Sequence, residues 1–134
     1  MAGKQGPETR RCNDMRKRGI ADYGDRLVIV KNHGSEFSRA GVSDFTGCLD
    51  GVYYAIEVKH EKNYGGSVER ALRKGPTLLQ RTFVQHVLDA GGCAGFAVTV
   101  DQFNEILEHA YYREYDDVKG EFLRCPGHNI LEEE

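Results

Sequence analysis

The stretch that most constrains the fold is Gly41–Lys59, GVSDFTGCLDGVYYAIEVK, which predicts a β-hairpin. At its centre Asp50-Gly51 is typical of a two-residue turn with positive φ angles, and strand-forming residues lie on both sides. The register of such a turn places Asp44 directly opposite Glu57. Because opposed like charges repel, this pair weakens the hairpin unless a divalent cation lies between the two carboxylates.

Side chains alternate between the two faces of a strand, so Glu57 and Lys59 share one face with Asp44. That face carries two acids and one amine. The opposite face has the composition of a protein core: Phe45, Leu49, Val52, Tyr54, Ile56 and Val58. The polar face predicts a metal site or, alternatively, a solvated edge on which Lys59 neutralises Glu57.

The remaining patterns predict an α/β fold with a central mixed β-sheet flanked by helices. Apolar residues at helical spacing cover three segments: Pro7 to about Asp22, Thr77–Ala90 ended by Gly91-Gly92, and Gln102–Ala110 capped by Asp101. Two further strands are predicted at Leu27–Lys31 and Ala94–Val100. A helix lies between the second strand of the hairpin and the strand at Ala94–Val100. The sheet is therefore expected to contain a crossover connection.

The length of 134 residues suits a single domain over residues 1–134. Within it we expect disorder over residues 1–6, a mobile loop over residues 60–75 with a helical turn at Val68–Leu72, and a C-terminal extension over residues 111–134. No apolar run has the length of a membrane span, and the N-terminus lacks the apolar core of a signal peptide. These features predict a cytoplasmic protein, in the host cytoplasm for a viral gene, with no membrane contact.

The four cysteines are scattered and form no C-x-x-C pair: Cys12, Cys48, Cys93 and Cys125. Cys125-Pro-Gly-His128 has the spacing of a metal-binding pair, but no second pair lies near it in the sequence. We therefore expect reduced thiols and no zinc at this motif.

Charge is unevenly distributed along the chain, whose formal net charge is −3. Residues 1–31 carry eight Lys or Arg against four Asp or Glu, whereas residues 101–134 carry three against ten. The basic end can contact nucleic-acid phosphates, although a solvated helix face explains the same charges. The overall balance argues against a passive DNA-coating protein.

Gln80 has two interpretations. In Thr77-Leu78-Leu79-Gln80 it occupies the third helical position of a capping box, where its side chain bonds back to the cap. Alternatively, it lies near the acidic face of the hairpin, where its amide can hold Lys59, a water molecule or a phosphate. The residues leave both interpretations open.

The motifs GVSD at residues 41–44 and IEVK at residues 56–59, followed by Gln80 in a helix that ends in two glycines, resemble the VRR-NUC family of the PD-(D/E)XK nuclease superfamily. The resemblance covers roughly residues 25–100. Within this range the chain is similar to the compact phage and bacterial members of the family. It implies a restriction-endonuclease-like core and a Mg²⁺- or Mn²⁺-dependent endodeoxyribonuclease. Ser43 departs from the proline of the superfamily motif, which is a structural position rather than a ligand.

What the resemblance implies for the site is an ion bound by oxygen ligands. Asp44, Glu57 and the backbone carbonyl of Val58 would bind Mg²⁺ or Mn²⁺, which prefer such ligands. A further acid is expected on the first helix, and we choose Glu8 over Asp14. The bound ion would acidify a water molecule and stabilise the charge of the transition state.

The resemblance also implies roles for two other polar residues. Lys59 would orient the attacking water, assist its deprotonation or stabilise developing charge, and these alternatives stay open. Gln80 would position Lys59 or the water. No small-molecule cofactor is expected.

Standalone members of the family are similar to Holliday-junction resolvases, which form homodimers with paired active sites. We therefore expect structure-directed rather than sequence-directed hydrolysis of phosphodiester bonds in branched or duplex DNA, including Holliday-junction resolution by a homodimer. The residues expected to hold DNA phosphates are Lys31, His33, Ser38, Arg39, Lys62, Arg73, Lys74 and Arg81. The alternatives are a nonspecific or flap-type nuclease, a catalytically silent DNA-binding module, and an α/β interaction protein without a metal site.

Overall fold

A mixed four-stranded sheet lies at the centre of the computed structural model, which describes residues 6–32 and 41–131. The helices are α1 (Pro7–Tyr23), α2 (Val68–Lys74), α3 (Leu78–Asp89) and α4 (Val100–Tyr111), with 3₁₀ turns at Gly24–Arg26 and Glu61–Tyr64. The strands are β1 (Leu27–Lys31), β2 (Phe45–Leu49), β3 (Val52–Val58), β4 (Cys93–Ala97), β5 (Tyr115–Asp116) and β6 (Glu121–Phe122). None of the helices in the described ranges is long and apolar enough to cross a membrane.

The β2–β3 hairpin has the register that the sequence predicts. Leu49 pairs with Val52 across a turn in which Asp50 and Gly51 have φ angles of 52° and 88°. The sheet order is β1-β2-β3-β4. β1 and β3 are both antiparallel to β2, whereas β4 is parallel to β3, so the helical segment between β3 and β4 is the predicted crossover.

Helices cover both faces of this sheet. On one face Phe45 packs edge-on against Phe103 of α4, with ring centroids 5.2 Å apart, and α1 packs against α4. On the opposite face Tyr53 lines a small cavity with Phe83 and Val87 of α3. The strand residues of the hairpin buried to 1% exposure or less are Phe45, Leu49, Tyr54, Ala55 and Ile56. The predicted α/β class, with a mixed sheet flanked by helices, is confirmed.

Two element ends differ from the sequence prediction. β4 ends at Ala97 instead of Val100, and α4 begins at Val100 instead of Gln102. The cap is Thr99 and not Asp101, because the Thr99 hydroxyl accepts the Gln102 N–H at 3.0 Å while the Gln102 side chain accepts the Thr99 N–H at 3.2 Å. This reciprocal pair satisfies two N–H groups at the helix terminus and fixes where α4 starts.

The segment 60–75, expected to be a mobile loop, consists of a 3₁₀ turn and α2. The Ser67 hydroxyl accepts the Arg70 N–H at 3.1 Å and caps α2, whose Ala71 and Leu72 are buried. The predicted helical turn is therefore part of a longer helix, and a 3₁₀ turn stands where an irregular loop was expected. The mobility of this segment stays a prediction. Charged residues dominate this segment, so its average composition did not indicate that Ala71 and Leu72 pack against the core.

The C-terminal extension covers part of the outer edge of the sheet. After the β5–β6 ribbon, the Phe96 N–H donates to the His128 carbonyl at 3.0 Å, and the His128 N–H donates to the Ala94 carbonyl at 3.2 Å. Because an open strand edge exposes unpaired N–H and C=O groups, this contact protects β4 from pairing with another chain. At the other terminus, residues 1–5 lie outside the described residues, and Gly6 is the N-cap of α1.

Gly47 of β2 lies where a side chain has no room. A Cβ atom there would lie 1.9 Å from the Val28 carbonyl oxygen and 2.8 Å from the Tyr54 hydroxyl, which donates to that carbonyl at 2.9 Å. We therefore expect Gly47→Ala to lower the free energy of unfolding in urea by about 1–3 kcal/mol, because the strands must separate. Cys48→Ala, at the next position of β2, is the control and should lower it less. Equal stability of the two variants would contradict this account.

Candidate active site

Asp44 and Glu57 lie side by side at the open end of the β2–β3 hairpin. The Asp44 N–H donates to Glu57 Oε2 at 3.2 Å, and the Val58 N–H donates to Asp44 Oδ2 at 2.8 Å. The exposed fraction of the side chain is 6% for Glu57 and 28% for Asp44. The hairpin register thus brings the two carboxylates together, and Glu57 is not a solvated surface acid.

The backbone on both sides of the hairpin fixes the position of Asp44. Gly41 has a φ angle of 84° and passes so close to α3 that a Cβ atom would lie 2.6 Å from the Leu79 carbonyl oxygen. Asn32, which follows β1, donates its side-chain amide to the Ser43 carbonyl at 2.9 Å and its N–H to the Asp44 carbonyl at 2.7 Å. The acid is therefore held by contacts with two separate elements.

Glu57 Oε1 has two polar neighbours. Gln80 Nε2 donates to it at 2.9 Å, and Lys59 Nζ lies 3.8 Å away. At the same time Gln80 Oε1 accepts the Thr77 N–H at 2.9 Å and completes a capping box at the start of α3. Both placements expected for Gln80 therefore occur together, because the amide oxygen caps the helix while the amide nitrogen faces the acidic site.

A second lysine contacts the other acid. Lys31 Nζ lies 3.3 Å from Asp44 Oδ1 and donates to the Asn32 carbonyl at 3.0 Å. The same ammonium lies 5.6 Å from the centroid of the Phe45 ring. Each carboxylate thus has one ammonium neighbour, and the predicted phosphate-binding residue Lys31 lies within the acidic site itself.

Glu57 holds its proton more tightly than an ordinary glutamate. Its pKa is raised from 4.5 to about 8, chiefly because burial disfavours the charged form and secondly because Asp44 is a negative neighbour. Lys59 lowers the pKa without cancelling these two effects. A carboxylate in this position is stabilised as an anion by a bound cation.

Asp44, Val58 and Lys59 line a cleft of about 590 Å³, and α1 forms one wall of it. Glu57 lies next to Asp44 but is not among the described lining residues. The helix residues that line it recur at helical spacing and are Glu8, Thr9, Cys12, Asn13 and Arg16. Arg11 fixes the helix in place, because it donates to both carboxylate oxygens of Glu61 at 2.6 and 2.8 Å and to the Val98 carbonyl at 2.7 Å. The cleft therefore exists only where α1, the hairpin and the segment after β3 meet.

Of the two acids considered on the first helix, Glu8 lines this cleft, whereas Asp14 is exposed and is not among its described lining residues. Glu8 Oε1 accepts Asn63 Nδ2 at 3.2 Å and lies 3.5 Å from Lys62 Nζ. The Asn63 hydrogen bond, and secondly the Lys62 charge, lower the pKa of Glu8 despite some desolvation. Glu8 is therefore ionised and placed at the entrance of the site.

The other residues expected to hold DNA phosphates have different surroundings. Lys62 lies at the edge of the cleft beside Glu8, and Lys74 is exposed at the end of α2. Arg73 forms an ion pair with Glu69 at 2.9 Å. The expected residues that lie outside the described residues are His33, Ser38 and Arg39.

Arg81 differs from this group because its guanidinium serves the fold. It donates to the Leu131 carbonyl at 2.7 Å and to the Arg73 carbonyl at 2.8 Å. These bonds join α3 to the end of α2 and to the C-terminal segment. These two bonds use two of the five N–H donors of the guanidinium and fix its position.

Arg16 is the arginine among the cleft residues that the sequence analysis missed. It lies on the same face of α1 as Thr9 and Asn13, and all three line the cleft. The spacing of these polar residues on a weakly apolar helix is a signal that was present in the sequence. The spacing alone does not show that α1 forms one wall of the site, because the position of the helix depends on the contacts of Arg11.

The raised pKa of Glu57 predicts a pH-dependent stability. The native protein binds this proton more tightly than the unfolded chain, so the metal-free protein should lose stability as the pH rises from about 4.5 to about 8. The expected slope is at most about 1.4 kcal/mol per pH unit. Urea unfolding in EDTA at several pH values measures it.

The control for this measurement is an exposed acid. Glu57→Gln should remove the slope, whereas Glu69→Gln, whose side chain is 73% exposed, should leave it unchanged. A slope that persists in Glu57→Gln would show that another group titrates in this range.

Comparison of the chain with models of known protein families, with curated protein sequences and with solved structures finds no match. The resemblance to the VRR-NUC family therefore remains a prediction that depends on the motif residues alone.

Proposed function

We propose that this chain is a divalent-metal-dependent endodeoxyribonuclease with a restriction-endonuclease-like core, which hydrolyses phosphodiester bonds of DNA. The observation that carries the proposal is the pair of adjacent carboxylates, Asp44 and Glu57, with Lys59 Nζ 3.8 Å from Glu57 and a cleft open to solvent beside them. Paired acids that share a metal ion beside a phosphate are a recurring arrangement for hydrolysis of phosphate esters. The resemblance of the motifs to the VRR-NUC family supports the same conclusion.

The donor set fits Mg²⁺ or Mn²⁺. These ions prefer oxygen ligands, and the site offers the carboxylates of Asp44 and Glu57 together with the backbone carbonyl of Val58, a residue that lines the same cleft. Glu8 is the further acid at this cleft. When bound, the ion would polarise a phosphate and lower the pKa of a coordinated water.

The surrounding residues would orient the reacting groups. Gln80 is anchored by the capping box and holds Glu57 Oε1, which fixes the orientation of that carboxylate. Lys59 lines the cleft beside Glu57, where its ammonium can hold a water molecule or a phosphate oxygen. Lys31 holds Asp44 from the other side. The amide and the two ammonium groups thus position the acids without providing metal ligands.

The cleft walls suit a nucleic-acid backbone. The lining residues that can donate hydrogen bonds to phosphate or sugar oxygens are Thr9, Asn13, Arg16, Lys31, Lys59, His60 and Asn63. Such contacts position a backbone without reading its bases, which favours structure-directed over sequence-directed cleavage.

Resolution of a four-way junction would need two such sites and therefore a homodimer. The sheet keeps exposed apolar residues that offer a surface for that contact. Val28, Val30 and Tyr53 are exposed, and the register places Val28 and Tyr53 in one row through Cys48. Sedimentation at several concentrations measures the oligomeric state.

Cleavage and metal binding can be separated by two variants. With Mn²⁺ present, Lys59→Ala should lose cleavage of labelled DNA by about 100-fold or more and keep the Mn²⁺-dependent rise in melting temperature, because the metal ligands remain. Asp44→Asn should lose both. The measurements are cleavage of four-way junction, flap, duplex and single-stranded DNA, and thermal melting with and without Mn²⁺.

The matched controls for these variants are exposed residues remote from the cleft. Lys119→Ala and Asp101→Asn, whose side chain is 88% exposed, should behave as wild type. Paired symmetric nicks on the junction support the homodimeric resolvase, and cleavage of every substrate restricts the proposal to a nonspecific nuclease. Junction binding without cleavage by wild type in Mg²⁺ or Mn²⁺ would leave only the silent DNA-binding module.

Arg16 should contribute to DNA affinity through the phosphate backbone. Arg16→Gln should weaken binding to all DNA sequences similarly and reduce the salt dependence of the affinity by about one counterion. Arg10→Gln, on the same helix but outside the cleft lining, is the control and should change both quantities less. Fluorescence anisotropy at several salt concentrations measures the two effects, and equal changes in both variants would place the DNA elsewhere.

A further inference from the structure

Three side chains of the kind that bind transition metals converge where α4 meets the C-terminal extension. His109 lies in the last turn of α4, and Cys125 and His128 belong to the extension. One ligand atom from each of the three lies within 4.8 Å of the other two. None of the three lines the cleft beside Asp44 and Glu57.

His128 has a ring nitrogen without a partner. Its Nε2 atom is buried and has no hydrogen-bond partner among the described residues, and a buried polar atom in this state destabilises a fold. The backbone of His128 is fixed by its two bonds with β4. Its ring packs edge-on against His109, with centroids 5.0 Å apart and an interplanar angle of 80°. A metal ion at Nε2 would supply the missing partner.

The Cys125 sulfur is surrounded by polar groups. The backbones of Gly127 and Ala94 and the side chains of His128 and Cys93 are neighbours of this sulfur. N–H groups beside a sulfur are outer contacts of the kind that stabilise a metal-bound thiolate. Cys93 is buried and offers a second sulfur beside Cys125.

We propose that His109, Cys125 and His128 bind a Zn²⁺ ion. Cys93, which neighbours Cys125 but lies outside the cluster of three, would move towards the ion as the fourth ligand of a tetrahedral site. Zinc prefers sulfur and imidazole ligands, whereas Mg²⁺ and Mn²⁺ prefer oxygen, so this site is chemically distinct from the proposed nuclease site. Ligand atoms around a tetrahedral zinc ion lie about 3.3–3.8 Å apart. Small rotations of the two imidazole rings would close the set around the ion.

The ion would act as a structural clasp. It would join α4 through His109 and the start of β4 through Cys93 to the extension that carries Cys125 and His128. A zinc ion with four protein ligands has no open position for a substrate. Because this extension covers the edge of β4, the ion would hold the edge closed.

The pattern Cys125-Pro-Gly-His128 did not predict this site, because no second pair lies nearby in the sequence. The fold brings His109 of α4 into the cluster and places Cys93 of β4 beside Cys125. From the sequence we expect no zinc at this motif, and the present proposal replaces that expectation.

The first test is zinc content after loading. Metal-depleted protein in reducing buffer is incubated with Zn²⁺, desalted and analysed for metal, and we expect about one zinc per chain. Cys125→Ser and His109→Gln should lower the zinc affinity by more than about 100-fold, because loss of a ligand exceeds loss of an outer contact. Cys48→Ser and His86→Asn, outside the cluster, are the controls and should retain zinc. No zinc in wild type, or equal zinc in all variants, would overturn the proposal.

A second readout does not depend on how the variants fold. Co²⁺ added to metal-depleted wild type should produce a thiolate-to-cobalt absorption band, and one equivalent of Zn²⁺ should remove it. Absence of the band would overturn the site. Asp44→Asn and Lys59→Ala should retain zinc, so the failure of the nuclease proposal would leave this result unchanged.

Discussion

The structure depends on one constraint, which is that the carboxylates of Asp44 and Glu57 lie next to each other in a largely buried position. Asp44 and Glu57 repel each other, and burial strengthens that repulsion because the surroundings are less polarisable than water. The fold offsets it with one ammonium group for each acid, with the amide of Gln80 and with backbone N–H donors. The pKa of Glu57 nevertheless stays raised. The offset is therefore incomplete, and a bound cation would complete it.

The two proposed metal sites lie at different ends of the molecule and differ in the type of their ligand atoms. At the open end of the hairpin, oxygen ligands lie beside a cleft that α1 closes on one side. At the far edge of the sheet, sulfur and nitrogen atoms converge between α4 and the C-terminal extension. Hard and borderline metal ions separate between such sites by ligand type. The two proposed ions, one catalytic and one structural, would therefore not exchange between the sites.

Much of the hairpin and of α3 could be predicted because both depend on residues close in sequence. The Asp50-Gly51 turn requires positive φ angles, and that requirement alone sets the register that opposes Asp44 to Glu57. The capping box between Thr77 and Gln80 follows from a spacing of three residues. Prediction failed at the start of α4 and over residues 60–75, where a nearby competing cap or a few buried residues outweighed the average pattern.

The sequence by itself determined the four strands of the central sheet, the register that opposes Asp44 to Glu57 and the capping box of Gln80, since turn geometry and helix capping act over a few residues. Only the tertiary structure decided which remote elements meet. Arg11 places α1 over the hairpin and so brings Arg16 and Glu8 to the cleft. Packing of α4 and β4 against the extension likewise brings His109 and Cys93 to Cys125. These meetings depend on side-chain packing between segments far apart in the chain, which local periodicity and spacing do not encode.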